Sequence, residues 1–246
     1  MGNTGVSGAN YRIDQRYETK LNKIGESLLR GIKDHDKDGY AFEFHAIKET
    51  YVNAFAYPGG KIFITDQMIE DLNLSDDEIA AVVAHEIGHV MKRHSVKGLI
   101  EKGIVMIAFS ACFYEDQNDD DGKKDTYGEK IGKILIQNAV LIGGLSFSRL
   151  HEYEADSTGW EAMVMSKSGY NPVAMITLFE KLMKLTSDDG STHWHSTHPG
   201  TKDRIEALIK THCSNDSTKC KRDLSSLDSN KLKQPTYRPQ NSQLEL

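Results

Sequence analysis

The stretch from Ser75 to His94 reads SDDEIAAVVAHEIGHVMKRH, and it decides how the rest of the chain can fold. Ser75, followed three positions later by Glu78, is a capping box, in which each side chain can hydrogen-bond the other residue's backbone N–H. Apolar residues then recur at helical spacing, so we predict one helix that reaches about His94. One side of this helix is apolar, as a rigid and partly buried platform for a binding site requires.

In the middle of that helix, His85 to His89 spell the pattern H-E-x-x-H. Four residues make little more than one helical turn, so the two imidazoles project from the same face and can hold one Zn²⁺ at about 2.0 to 2.1 Å. Glu86, one step round, can accept a proton from a water that the metal has made more acidic. The pattern is that of a zinc peptidase; the alternative is a chance match on an exposed helix.

A second helix is predicted from about Ser148 to Ser168, and it begins SRLHEYEADSTG. Two His ligands leave a catalytic zinc one protein ligand short, so a second rigid element must supply an Asp, Glu or His. Glu152 and Asp156 are four positions apart on one face, so Glu152 could bind the metal while Asp156 hydrogen-bonds a ligand imidazole. His151 and Glu154 point elsewhere. Taken alone, the segment would equally fit an acidic turn that faces solvent.

Helical and strand patterns alternate unevenly along the rest of the chain, which indicates an α+β fold that is mainly helical. A small antiparallel sheet is expected to pack on the catalytic helix, because short apolar runs flank the turn Pro58-Gly59-Gly60. The predicted strands are Phe42 to Ile47, Val52 to Tyr57 and Lys61 to Thr65. The other predicted helices are Tyr11 to Lys33, Thr65 to Leu72, Val96 to Phe113, Gly128 to Gly144, Asn171 to Leu185 and Thr201 to Thr211.

One domain, residues 11–213, is expected between two polar ends. Residues 1–10 are a flexible N-terminus or a cloning remnant without signal-peptide features, and residues 214–246 form an extended or partly disordered tail. Cys213 and Cys220 flank six polar residues, and their spacing permits a disulfide, which would imply an oxidising compartment. Two unpaired surface thiols are the alternative.

Charge and hydropathy exclude two classes of partner. Thirty Lys and Arg stand against 36 Asp and Glu, a net charge of -6, which argues against nucleic-acid binding. No run approaches the roughly 20 apolar residues of a spanning helix, so no transmembrane segment is predicted. The run Asp34 to Gly39 matches half of a calcium loop, but His45 stands where the bidentate Glu belongs, so a solvated turn is the better interpretation.

The order of these motifs resembles the HtpX and CAAX prenyl protease family, which are zinc metalloendopeptidases of the gluzincin type. The H-E-I-G-H helix is followed by Glu152 in E-Y-E-A-D, as in that family. Residues 52–56 with the Pro-Gly-Gly turn resemble its edge-strand segment, and Thr197-His198-Pro199 resembles its late H-P box. The resemblance covers about Tyr11 to Thr211 and implies a zincin-like metalloprotease domain.

By that resemblance, one Zn²⁺ per chain is held by His85, His89 and Glu152, with Glu86 as the general base. His198 either hydrogen-bonds the oxyanion in the transition state or caps zinc as a fourth ligand in a resting form; a structural role at a helix entry is the alternative. The family pattern also places two arginines, Arg149 and Arg204, where they supply positive charge or anchor the acidic segment.

Substrate binding is a separate expectation. If Lys61 to Thr65 is an exposed edge strand beside the catalytic helix, an extended peptide can pair with it through backbone hydrogen bonds. The residues assigned to this substrate strand are Asn53, Ile62, Phe63 and Ile64. A core strand is the alternative.

The function expected from these features is hydrolysis of unfolded or misfolded proteins in a bacterial periplasm or cell envelope. Members of the family that live in membranes carry spanning segments, which this chain lacks between His89 and Glu152. A soluble or peripherally attached form is therefore expected, with a lipid anchor in the full-length protein as one option. The expected binding partners of this chain are polypeptide substrates. The alternative function is a latent or inactive zinc-binding module that acts as a chaperone.

Overall fold

A computed structural model of the chain describes residues 11–32, 39–101, 145–185 and 193–213. Several predictions lie outside these residues: the calcium-like loop, most of the two apolar helices that precede Leu145, the tail and the first ten positions. Among the described residues, no helix is both long enough and apolar enough to cross a membrane.

Within the described ranges the chain forms eight α-helices and three short strands. In chain order they are α1 (Gln15–Leu29), β1 (Glu43–Ile47), β2 (Ala54–Ala56), β3 (Lys61–Thr65), α2 (Asp66–Asp71), α3 (Asp76–Met91), α4 (His94–Glu101), α5 (Arg149–Met165), α6 (Ala174–Lys184), α7 (Trp194–Thr197) and α8 (Thr201–Leu208), which one π-helical turn follows, Ile209–Cys213. The predicted class, α+β and mainly helical, is confirmed.

The catalytic helix α3 begins where the sequence predicts. The Ser75 hydroxyl accepts a hydrogen bond from the Glu78 N–H, and the Glu78 carboxylate accepts one from the Ser75 N–H, which completes the capping box. The same carboxylate lies 2.6 Å from Nζ of Lys181 on α6, and both side chains are buried. These contacts fix the N-terminus of α3 against α6.

The end of α3 differs from the prediction. The helix stops at Met91, and Arg93 has a φ of 57°, in the left-handed region. A residue in that conformation breaks the helical hydrogen-bond pattern, so α4 begins at His94 in a new direction. The prediction of one helix that reaches about His94 is therefore wrong by the last turn.

The sheet has the strand order β1-β3-β2, with β3 in the centre. The pair β2–β3 is antiparallel, as predicted across the Pro58-Gly59-Gly60 turn, but β1 and β3 run parallel, so the sheet is mixed rather than antiparallel. The reason lies in residues 48–53, which carry the chain past the position of β3. Strand β2 therefore forms on the far side, and β3 returns between the two.

Helix α3 is central, and every residue from Glu78 to Val90 is buried. Helix α5 packs against it more extensively than any other two described elements pack together. A Cβ on Gly159 of α5 would lie 2.7 Å from the Ala84 carbonyl oxygen, and a Cβ on Gly88 would clash with the backbone of Ala155. Glycines at these positions let the two helix backbones touch, which brings the acidic start of α5 against the histidines of α3.

Residues Trp194–Thr197, which lie outside the predicted helices, form the short helix α7. Trp194 is fully buried, and its ring stacks on His198 with 4.0 Å between centroids. Gly200 then adopts a φ of 81°, a conformation that glycine tolerates best, and the chain turns into α8. The turn places His198 and the start of α8 beside α3 and α5.

Candidate metal centre

Four buried side chains meet between α3, α5 and the turn that follows α7. His85 and His89 come from α3, Glu152 from α5, and His198 from the turn, and one ligand atom of each lies within 4.8 Å of the other three. We call these four residues the ligand cluster. In the described part of the chain, no other group of His, Cys, Asp or Glu comes together in this way.

Imidazole nitrogens of the ligand cluster face one another. His89 Nε2 lies 3.0 Å from His85 Nε2, which in turn lies 3.4 Å from His198 Nδ1. A neutral imidazole offers one N–H and one lone pair, so a cation at the centre would satisfy all three nitrogens together. Two imidazoles and a carboxylate are the donor set of a catalytic zinc site, and the residues present fit that metal.

The charge states also suit a metal. Burial lowers the pKa of His89 well below its ordinary value, so the ring is neutral and keeps a lone pair. Burial acts to raise the pKa of Glu152, but the charges of Arg204 and His198 outweigh it and hold that pKa well below its usual range. Metal ligands must be deprotonated, and both groups are.

Behind the ligand cluster, Arg204 joins two buried carboxylates. Its Nη1 lies 2.6 Å from Glu152 Oε2, while Nη2 and Nε donate to Asp156 at 2.6 and 2.7 Å. Asp156 Oδ1 also lies 2.9 Å from His85 Nδ1. A carboxylate that accepts from Nδ1 leaves the Nε2 lone pair of His85 for a metal.

Glu86 follows His85 on α3, and its carboxylate lies beside the ligand cluster, 3.7 Å from His198 Nε2. Both carboxylate oxygens are buried and accept no hydrogen bond from the described residues. Burial raises the pKa of Glu86, against a smaller opposing effect of His198 and His85. Burial of a carboxylate without a hydrogen-bond donor is costly, so the contacts of Glu86 do not account for its place in the core.

His198 lies between the ligand cluster and the sheet. Its Nδ1 is 3.3 Å from Glu152 Oε1, and its Nε2 is 3.3 Å from the Ala54 carbonyl oxygen of β2 and 3.7 Å from Glu86 Oε1. Burial acts to lower the pKa of His198, but the charges of Glu152 and Glu86 outweigh it and raise that pKa. The ring thus contacts both Glu152 of the ligand cluster and the Glu86 carboxylate.

A fourth histidine at the site, His94, escaped the sequence analysis. Its Nδ1 lies 2.9 Å from His89 Nδ1, and its Nε2 lies 3.0 Å from Glu154 Oε2. Burial lowers the pKa of His94 to about 4, so the ring is neutral near pH 7. Sequence spacing gave no signal, because five positions along a continuous helix rotate a side chain by about 140°. Glu154, expected to point elsewhere, reaches the ligands through His94.

Two predicted groups lie away from the ligand cluster. Arg149, predicted together with Arg204 to supply positive charge or to anchor the acidic segment, is exposed at the start of α5 and pairs with Asp203 at 2.8 Å rather than with a ligand. Strand β3 is central and not an edge, so the expectation of an exposed substrate strand at Lys61–Thr65 is wrong. Its residues Ile62, Phe63 and Ile64 are buried, as is Asn53 just before β2.

The predicted disulfide lies partly outside the described residues. Cys213 is disulfide-bonded. Cys220, the partner that its spacing suggests, is not among the described residues, so the pair stays a prediction.

Comparison with known proteins agrees with this arrangement. The family model described as Peptidase family M48 matches residues 15–212. The chain is 32% identical over 187 residues to the mitochondrial metalloendopeptidase OMA1 of Schizosaccharomyces pombe, covering 75% of this chain and 51% of that protein. It is 29% identical over 216 residues to the Arabidopsis thaliana protein of the same name, covering 84% and 41%.

A bacterial relative has a length nearer to that of this chain. The chain is 25% identical over 208 residues to the metalloprotease LoiP of Escherichia coli, covering 82% of this chain and 72% of that protein. By contrast, the chain spans about half the length of the two mitochondrial relatives that it matches.

Proposed function

Because this chain belongs to peptidase family M48, we propose that it is an endopeptidase that hydrolyses peptide bonds with one zinc ion held by His85, His89 and Glu152. The relatives are named as metalloendopeptidases and metalloproteases. The observation that carries the proposal is Glu86, a buried carboxylate that accepts no hydrogen bond from the described residues and lies beside a set of metal donors.

The roles of the surrounding side chains follow from their contacts. Zinc, when bound, supplies a Lewis acid for the scissile carbonyl and makes water more acidic. Asp156 orients His85 through Nδ1, and Arg204 compensates the charge of Glu152 and Asp156 from the far side. These contacts hold the ligands in place before a substrate arrives.

In the proposed reaction, Glu86 transfers the proton. As water attacks the carbonyl carbon, one carboxylate oxygen of Glu86 takes a proton from it, and the same group then delivers that proton to the amine nitrogen as the C–N bond breaks. Burial raises the pKa of Glu86, which makes the carboxylate a stronger base than one in water.

A second candidate function rests on His198. Catalytic zinc sites keep one position open, whereas structural sites are closed by four protein ligands. His198 Nδ1 lies within the ligand cluster, which supports a resting form with four ligands. Our first candidate is a protease that has such a resting form. The second candidate is a zinc-binding, chaperone-like module that does not cleave peptides.

The substrate strand is better assigned to β2 than to β3. The backbone of Asn53 and that of Tyr57 hydrogen-bond to β3, so by alternation the backbone groups of Ala54 and Ala56 point away from β3. In the resting form their carbonyl oxygens accept hydrogen bonds from His198 Nε2 and Ser95 Oγ. An extended peptide would pair with this edge by replacing the His198 contact, which links substrate entry to release of the fourth ligand.

Cellular role is proposed from resemblance. The chain's likeness to the HtpX and CAAX prenyl protease type supports unfolded or misfolded polypeptides as substrates, in a bacterial periplasm or envelope, with peripheral membrane contact or a lipid anchor. Two relatives are named as mitochondrial, so the compartment differs among relatives. Fractionation of cells that express the native protein would decide it.

The test of catalysis is the substitution Glu86→Gln. Removing the base should lower the rate of β-casein cleavage by about 10²- to 10⁴-fold while zinc content, measured by atomic spectrometry, stays unchanged. Glu161→Gln, an exposed change on α5, is the matched control and should cleave as wild type. If Glu86→Gln cleaves casein as fast as wild type, the assigned mechanism is wrong; client protection without turnover in both proteins would favour the chaperone-like module.

A further inference from the structure

A line of hydrogen bonds runs from the ligand cluster toward the surface. His89 Nδ1 meets His94 Nδ1 at 2.9 Å, and His94 Nε2 meets Glu154 Oε2 at 3.0 Å. His94 is fully buried, whereas the Glu154 side chain is 40% exposed, so the line ends at solvent. The His89 ring also stacks on Phe147, with 4.2 Å between centroids, which fixes the plane of the ring.

The chemistry of these groups allows one arrangement of protons. An ionised carboxylate only accepts hydrogen bonds, so the His94 proton that faces Glu154 is on Nε2. The His94 Nδ1 then carries a lone pair, which can accept only from an N–H at His89 Nδ1. A neutral His89 with its proton on Nδ1 keeps its lone pair on Nε2, the atom that faces His85 and Glu152.

We propose that His94 and Glu154 are positioning residues that fix the tautomer of His89, so that its Nε2 is ready to bind the metal. The inference rests on the proposed function, since it assigns His89 as a metal ligand. Without this pair, the His89 proton could sit on Nε2, where it would exclude a metal.

Different contacts therefore orient the two ligand histidines of α3. A carboxylate contacts His85 directly through Asp156, whereas Glu154 acts on His89 through a second imidazole. The left-handed turn at Arg93 makes this possible, because it returns the chain so that His94 faces the helix it has just left. Both carboxylates come from α5, which also supplies the ligand Glu152.

The test compares two variants of almost equal shape. Asn in place of His94 keeps an amide oxygen near the position of Nδ1 and can still accept from His89, while Leu has the same size and cannot. Competition with a chromophoric chelator should show zinc binding weakened about 10- to 100-fold in His94→Leu, with His94→Asn much closer to wild type. A purely structural role would weaken both variants alike, so equal zinc affinities of the two would overturn the proposal.

A second measurement does not depend on how well the variants fold. Long-range proton–nitrogen spectra of zinc-loaded wild type, labelled with ¹⁵N-histidine, report which ring nitrogen carries the proton. We expect His89 to be protonated on Nδ1 and His94 on Nε2. A proton on Nδ1 of His94 would contradict the proposal.

Glu154 has its own matched control. Glu154→Ala should weaken zinc binding, whereas Glu161→Ala, at an exposed position seven residues farther along α5, should not. Equal affinities of the two variants would exclude Glu154 from the positioning role. A different outcome would contradict the proposed function itself, namely a wild-type protein that binds no zinc. Stoichiometric zinc in wild type, with unchanged affinity in both His94 variants, would overturn the positioning role alone.

Discussion

Arg204 is the residue on which the electrostatics of the centre depend. It lies fully buried between Glu152 and Asp156, so Arg204→Met would leave two buried carboxylates without their cation. We expect the metal-free protein to lose about 3 to 5 kcal/mol of unfolding free energy, measured by urea titration. Arg149→Met, which removes an exposed ion pair to Asp203, should cost about 1 kcal/mol or less. Equal losses in the two variants would show that Arg204 is not needed to compensate the buried charge.

A single substitution distinguishes the two roles proposed for His198. If it is a resting-state ligand, His198→Ala opens a coordination position and frees the Ala54 carbonyl oxygen on β2. We therefore expect kcat toward an unfolded polypeptide to rise while one zinc per chain is retained. A fall in kcat of about 100-fold with zinc retained would contradict the resting-form proposal and assign His198 to oxyanion stabilisation.

At the scale of elements, the α3–α5 contact is the feature that assembles the centre. Gly88→Ala would push a methyl group into the Ala155 backbone, which cannot move as a side-chain end can. We expect a loss of about 1 to 3 kcal/mol in stability by urea unfolding, and weaker zinc binding as the two helices separate.

The control for that change is Gly98→Ala on α4. Its added methyl would lie 3.8 Å from Leu145, an ordinary contact. Helix propensity then favours alanine, so stability should rise or stay level, by up to about 1 kcal/mol. A similar effect of the two substitutions on zinc affinity would show that close packing of α3 on α5 does not set the ligand geometry.

The elements also show what can be predicted from sequence. The spacing of His85, Glu86 and His89 predicts that they lie on one helix, and Ser75 with Glu78 predicts the N-terminal cap of that helix. Both predictions succeed because they depend only on residues close together in sequence. His94 could not be found, since its position depends on a left-handed residue, Arg93, that no sequence pattern announced. The prediction of the sheet was wrong for the same reason. Short apolar runs predict strands, but which strand is central depends on how the whole chain turns.

For the whole molecule, the ligand cluster joins parts of the chain far apart in sequence. The histidines of α3, Glu152 of α5 and His198 beyond α7 are separated by stretches that include residues outside the described ranges. A metal that binds only the folded arrangement stabilises it by mass action. Zinc binding and folding are therefore expected to be coupled.

Removal of zinc tests this coupling. With free zinc about 1,000-fold above its dissociation constant, the folded state gains about 4 kcal/mol, which corresponds to a rise in Tm of about 8 to 16 °C for a chain of this size. Calorimetry before and after chelation should show that difference in wild type and in Glu86→Gln, which keeps all the ligands. His89→Ala should lose most of it, while His45→Ala, which changes a histidine on β1 outside the ligand cluster, should keep it. A Tm that does not respond to chelation, or responds equally in His89→Ala, would show that these residues do not hold the metal.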